Sequence, residues 1–207
     1  ATTGYIWKSP AELGPHAERP RGETFRMLAD AARTHSAWIV CGFPELFIHP
    51  ARQSRTGKAM ATLHNSAMVV SPLGELVTCY RKVLLYEADE SWASPGWRRS
   101  VVPTAFGPMV PGICMDLNDD GFVGFLHEIE PRVVAFCTNW LEEGAPVHAY
   151  WQMRLRGVRS HVAAANSWGD DGEVTFCGRS AILGPHGDVL VEAPPEGDTV
   201  LVAEVDV

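Results

Sequence analysis

One cysteine stands where nucleophilic chemistry is possible. The stretch Val110-Pro111-Gly112-Ile113-Cys114-Met115-Asp116-Leu117-Asn118 is a short apolar run, then a thiol, then polar residues able to open a helix. The pattern predicts a cysteine on the turn at the C-terminal end of a strand, with a helix N-terminus beside it. Unpaired backbone N–H groups and the helix dipole favour a thiolate in such a place. The same N–H groups can hold an oxyanion once sulfur attacks a carbonyl. The competing reading is a buried cysteine serving as a small hydrophobe.

Three further stretches supply groups that could work with this thiol. Lys82, in Tyr80-Arg81-Lys82, ends an apolar strand and precedes Val83-Leu84-Leu85. A lysine so placed could polarise a carbonyl oxygen or steady a thiolate, or be an ordinary surface lysine. Tyr86-Glu87-Ala88-Asp89-Glu90-Ser91-Trp92 sets acids among aromatics, either as a solvated loop or as a carboxylate held beside a lysine. Gly42-Phe43-Pro44-Glu45 puts a carboxylate at a strand end, where α/β sites gather; a loop acid or a helix cap is the alternative.

The elements that must position these groups read as alternating strands and helices. Phe25, Leu28, Ala29 and Ala32 recur at helical spacing, predicting an amphipathic helix over residues 22–35. Residues 38–42 read as a buried strand and residues 50–58 as a polar loop. Residues 64–70 and 75–80 read as a hairpin across Ser71-Pro72-Leu73-Gly74. Residues 82–96 read as a long structured loop. Strands are predicted at 100–105, 109–113, 132–137, 162–166, 175–183, 188–192 and 199–205, and helices at 121–130 and 147–160. The first twenty residues, punctuated by Gly4, Pro10, Gly14, Pro15 and Pro20, read as irregular. This alternation implies an α/β layered fold, in one domain over residues 1–207.

Composition excludes several classes. The 207 residues carry a net charge of −8, with no basic stripe interleaved with aromatics, which argues against nucleic acid or an anionic membrane as partner. The longest apolar runs are strand-sized. The five cysteines (41, 79, 114, 137 and 177) form no C-x-x-C pair and no disulfide framework, a usage that suits a reducing cytosol. The eight histidines show no metal-ligand spacing, and no glycine-rich phosphate loop is present, so no metal, nucleotide or flavin cofactor is expected.

Together these stretches resemble the nitrilase superfamily of carbon–nitrogen hydrolases. Tyr80-Arg81-Lys82 is similar to the family's lysine motif and Gly112-Ile113-Cys114-Met115-Asp116-Leu117 to its nucleophile motif, 32 residues apart from Lys82 to Cys114. Glu90 falls where many members carry a second glutamate. Gly178-Arg179-Ser180-Ala181-Ile182 with Pro185-His186-Gly187 resembles the closing strands. Residues 80–94 and 112–118, with Gly4-Tyr5 and Gly42-Phe43-Pro44-Glu45, look most like the fungal-type protein N-terminal amidases of that superfamily.

The resemblance implies a four-layer α-β-β-α sandwich and a Glu-Lys-Cys triad. In it Cys114 attacks an amide carbon, Lys82 and the Met115 backbone N–H hold the oxyanion, and Glu90 orients Lys82. The family's first glutamate precedes the Gly-Tyr pair, but only Ala1-Thr2-Thr3 precede Gly4-Tyr5 here. The expectation is therefore a chain lacking that glutamate together with the first strand and helix. The implied substrate is a small amide or a peptide N-terminus bearing Asn or Gln, with ammonia released. Free small amides or N-carbamoyl compounds are the alternative, and an inactive binding protein is the rival from another class. A homodimer is implied as the usual assembly. Asp116 is a candidate for the substrate's α-amine or a cap of the following helix, Glu45 is a further binding candidate, and Trp92 and Trp140 are candidate walls of the site or core residues.

Overall fold

The computed structural model describes residues 7–53 and 59–206, without the side chains of residues 50–53 and 59. Gly4-Tyr5 and most of the expected loop at 50–58 therefore lie outside the described residues. Contacts divide the chain into two compact units, Ala1–Arg98 and Arg99–Val207.

The first unit opens with a short helix, α1 (Pro10–Leu13), capped by the Ser9 side chain on Glu12 N–H, and a 3-10 turn at Gly14–His16. Helix α2 (Glu23–His35) matches the predicted amphipathic segment. Its apolar positions Phe25, Ala29 and Ala32 bury against Phe43, Met68 and Val70, with Leu28, Ile39, Cys41, Leu76 and Cys79 packed around them. That stripe spans about two turns of helix, and burial of one face holds it. Ser36 closes the helix in the left-handed region, φ 50°, its N–H turned back on the carbonyls of Ala32 and Arg33.

The sheet beneath α2 is an antiparallel meander, β1 (Ile39–Gln53), β2 (Ala59–Val70) and β3 (Leu76–Arg81). The β2–β3 hairpin falls where Ser71-Pro72-Leu73-Gly74 predicts it, with Gly74 at φ 72°. Strand β1 runs far beyond the expected residues 38–42: it pairs in continuous register from Ile39↔Val70 to Ile48↔Ala61. Pro44 is tolerated because β1 is an edge strand. Its carbonyl accepts Glu18 N–H at 3.0 Å, and Glu18 O accepts Leu46 N–H at 2.8 Å, so residue 18 stitches that edge. A single helical turn, α3 (Glu87–Glu90), interrupts the expected loop after β3.

The second unit is built on a six-stranded sheet in the order β11-β10-β7-β6-β5-β4, where β4 is Val102–Thr104, β5 Gly107–Ile113, β6 Val133–Thr138, β7 His161–Asn166, β10 Ala181–Leu183 and β11 Val189–Glu192. Strands β5, β6 and β7 are parallel. Their crossovers carry helices α4 (Asp120–Ile129) and α5 (Val147–Arg154), the arrangement that parallel pairing demands. Helix α5 stops six residues short of the predicted end.

The predicted strand 175–183 is broken in two. Gly178 and Arg179 both adopt left-handed φ, 63° and 55°. Thr175–Cys177 (β9) leaves to pair with Trp168–Asp170 (β8) in a separate two-stranded sheet. A Cβ at Gly178 would lie 2.0 Å from Pro195 O, so only glycine fits there. Residues 199–205, a largely apolar run predicted as a strand, form no ladder with the described residues, and Val200 is 88% exposed. Among the described residues, no helix is long and apolar enough to cross a membrane.

Candidate active site

The cysteine turn sits where the sequence places it. Strand β5 ends at Ile113 in extended backbone, and Cys114 turns the chain at φ 43° into a 3-10 turn, Cys114–Asn118, that leads to α4. A β-carbon in that region costs about 1–2 kcal/mol, so the surrounding contacts must hold it. They are numerous. Asp116 Oδ2 accepts the Ile113 N–H at 2.9 Å, reaching back across Cys114. Arg154 on α5 donates Nε–H to Leu117 O at 2.8 Å, and Tyr150 on the same helix donates its hydroxyl to Asn118 Oδ1 at 3.0 Å. Asp119 caps α4 through Gly121 N–H at 2.9 Å and pairs with Arg99 at 2.5 Å. Gly112 admits α4 close to the strand: a Cβ there would stand 2.7 Å from Phe122 Cζ and 3.3 Å from Phe136 Cδ2.

Trp140 follows β6, is buried, and packs tilted against Tyr150 and edge-on to Trp151, ring centroids 5.4 and 6.1 Å away. Its N–H is held by Asn166 Oδ1 at 2.7 Å, while Asn166 Nδ2 donates to Gly178 O at 2.5 Å. Asn166 thus ties the end of β7 to the Trp140 segment and to the left-handed pair at 178–179. Through Tyr150, Trp140 is also one contact removed from the cysteine turn.

In the first unit Lys82 is no surface lysine. Its side chain is fully buried, as is that of Asp89, and Lys82 Nζ donates to Asp89 Oδ2 at 2.5 Å. The Asp89 carboxylate also accepts Tyr86 N–H at 3.1 Å on Oδ2 and Asn65 Nδ2–H at 3.1 Å on Oδ1. Three donors satisfy the oxygens of this buried carboxylate, which in turn is the ion-pair partner of the buried Lys82 side chain. Glu90, the expected partner of Lys82, is exposed on α3; the carboxylate set on the ammonium is that of the preceding residue, because the single turn of α3 presents only one of the two inward.

Two other expectations are corrected. Glu45, read as a binding carboxylate, is fully buried and committed to the sheet: Oε1 and Oε2 take Arg81 Nη2–H at 2.6 Å and Nε–H at 2.8 Å, and Oε2 takes the Ser66 hydroxyl at 2.7 Å. These bonds push the Arg81 guanidinium above its ordinary range, against the opposing effect of burial. Asp116, read as a contact for a substrate amine, is fully buried and given to the Cys114 turn. Met115, whose backbone is the expected oxyanion donor, is the second residue of that turn.

Sequence reasoning missed Asp89, Asn65, Tyr150, Arg154 and Asn166. Only Asp89 had a local signal, an acid among aromatics after a strand-end lysine. The others are common residue types whose partners lie 24 to 37 residues away. Among the remaining cysteines, burial pushes Cys79 up to about 12, with Glu45 adding to the rise, and it also raises Cys41 and Cys177. Those three are poor nucleophiles.

The carbon-nitrogen hydrolase family model matches residues 1–207. The chain belongs to that family. It is 26% identical over 222 aligned residues to the protein N-terminal amidase of Schizosaccharomyces pombe, covering 87% of this chain and 74% of that protein. Among solved structures, a carbon-nitrogen hydrolase from Helicobacter pylori G27 superposes with a TM-score of 0.74 at 18% identity, covering 94% of this chain and 71% of that one. Nit3 from Saccharomyces cerevisiae, a member of branch 10 of the nitrilase superfamily, gives 0.71 at 18%, covering 86% and 63%. These likenesses show the nitrilase-type α/β fold, the sandwich class expected from the sequence. The chain spans 65% to 74% of the length of the curated relatives it matches first.

Proposed function

We propose that this chain hydrolyses a non-peptide C–N amide bond with Cys114 as nucleophile, and that its preferred substrate is the side-chain amide of an N-terminal Asn or Gln. The observation that carries the reading is the Cys114 turn. A thiol at a strand end, in left-handed backbone braced by Asp116, Tyr150 and Arg154, is fixed geometry held at a cost, as a nucleophile requires. A fully buried lysine paired with a buried carboxylate is the second support, since lysines are mostly exposed and an unpaired one is almost never fully buried.

In this reading the family pattern assigns the nucleophile to Cys114 and an oxyanion donor to Lys82. The thiolate adds to the amide carbon, and the Lys82 ammonium with the Met115 N–H stabilises the developing oxyanion. The C–N bond breaks, ammonia leaves with the proton delivered by a general acid, and water releases the acid from the thioester. The family pattern gives the acid–base role to a glutamate ahead of Gly4-Tyr5.

The N-terminal amide preference is supported by the likeness to the fission-yeast enzyme and by the stretches 80–94 and 112–118. Free small amides are the second reading, favoured by similarity to omega-amidases such as that of Mus musculus, 26% identical over 204 residues. Ammonia release from Asn-peptides, Gln-peptides, internal-Asn peptides and free amides separates the two. Release from the first two alone supports the peptide reading, release from free amides alone replaces it, and release from none refutes hydrolysis. A dimer of this chain is part of the proposal, with solution scattering as its check.

A further inference from the structure

Asn65 holds two things at once. It lies on β2, facing Pro44 of β1, one residue before the Ser66↔Arg81 pair that ends the β2–β3 ladder. Its carbonyl accepts Lys82 N–H at 2.9 Å, carrying the ladder one residue past the strand. Its side-chain Nδ2 donates to Asp89 Oδ1 at 3.1 Å, while Asp89 Oδ2 takes the Lys82 ammonium. Backbone, carboxylate and ammonium therefore close a triangle in which Asn65 grips Lys82 from both ends. Lys82 O accepts Gly96 N–H at 2.7 Å, and Leu63 O accepts Ser94 N–H at 2.8 Å, so the return of the loop is fixed to the same strand.

The residue type matters. A buried carboxylate has two oxygens, and a lysine with three donors can choose either. By occupying Oδ1 with a neutral donor, Asn65 leaves Oδ2 as the seat for Nζ. Leucine has the same bulk and no donor. Aspartate has the same shape, but it sets a second negative charge beside Asp89 and gives the ammonium a competing acceptor.

We propose that Asn65 is a positioning residue for Lys82, fixing the direction of the ammonium by clamping the far oxygen of Asp89 and the Lys82 main chain. This rests on the hydrolase reading, in which Lys82 acts on the oxyanion. Its loss is felt in the transition state and little in substrate binding. Asn65→Leu is expected to lower kcat at least 10-fold on whichever amide the wild type turns over, with KM within about 2-fold.

The swap Asn65→Asp with Asp89→Asn separates positioning from stability. It keeps one carboxylate and one amide, so it is expected to restore much of the Tm lost in Asn65→Asp. It moves the negative charge to the other corner of the triangle, so kcat stays depressed. A merely structural role predicts that kcat returns with Tm, and that result overturns the inference, as does an unchanged kcat in Asn65→Leu. A readout independent of turnover is the 1H–15N signal of the Lys82 ammonium. It is expected to be sharp in the wild type and broadened in Asn65→Leu; equal signals overturn the inference. Absence of ammonia release by the wild type, with the signal broadened as expected, overturns the hydrolase reading and leaves the clamp standing.

Discussion

The Lys82–Asp89 pair offers the sharpest test of the site's construction. Both side chains are fully buried, and the ammonium and carboxylate are 2.5 Å apart. Removing one charge strands the other in a medium that cannot solvate it, which costs about 3–5 kcal/mol for a buried pair. Asp89→Asn and Lys82→Met are each expected to lose that much unfolding free energy in urea denaturation at pH 7, a factor of roughly 100 or more in the folding equilibrium. Replacing both, Lys82→Met with Asp89→Leu, removes two desolvation penalties together. Its cost is expected to be far below the sum of the two, with a coupling of at least about 2 kcal/mol in the double-mutant cycle. Glu90→Gln, on the exposed face of the same turn, is expected to stay within about 0.5 kcal/mol of wild type. Additive losses from Lys82 and Asp89, or a Glu90→Gln loss as large as that from Asp89→Asn, would refute the reasoning, because each would mean that the ammonium is compensated elsewhere.

Other expectations are more local. Gly112→Ala drives a methyl group to within 2.7 Å of the buried Phe122 ring and should destabilise by about 1–3 kcal/mol in urea, whereas Gly124→Ala, in open space on α4, should stabilise by about 0.5–1 kcal/mol. Asp116→Ala leaves the buried Ile113 N–H without its carboxylate and should cost about 2–3 kcal/mol while lowering ammonia release; unchanged stability would remove Asp116 as the brace of the turn. Burial, with Arg81 and His49 adding smaller contributions, lowers His64 from its ordinary 6.5. The unfolded chain therefore binds the extra proton first, and stability is complete above pH 6.5 and falls as pH drops below it. A His64→Gln variant should show a shallower loss of stability between about pH 6.5 and 5, and parallel curves would count against that assignment.

Much of the fold was legible because its signals are local. The stripe Phe25, Leu28, Ala29 and Ala32 has helical period and becomes α2; the turn at Ser71–Gly74 has hairpin chemistry; and Gly112-Ile113-Cys114 names both a crowded strand and the turn that ends it. What escaped depends on partners distant in sequence. Strand β1 reads as a loop beyond Gly42 because Pro44 and Pro50 interrupt it, and only its pairing with β2 and the stitch from Glu18 keep it extended. The break at Gly178 and Arg179 comes from left-handed backbone under Pro195, which no strand pattern reveals. Residues 199–205 carry the apolar, β-branched composition of a strand, but a ladder needs a partner as well as a pattern. Choosing Asp89 over Glu90 requires the phase of a single helical turn, set by three donors arriving from Asn65, Lys82 and Tyr86. Asp116 and Glu45 had the right residue type for binding but are buried and hydrogen-bonded within their own units, a distinction that rests on burial and on distant partners.

The central claim is that Cys114 carries the chemistry. Its most direct test is to incubate the protein with an amide bearing a leaving group slow enough to trap the acyl-enzyme and to map the modified peptide by mass spectrometry. The account predicts a single acyl adduct on Cys114 that water removes with time and that Cys114→Ala abolishes. An adduct confined to another cysteine, or none while the amide is still consumed, would contradict it.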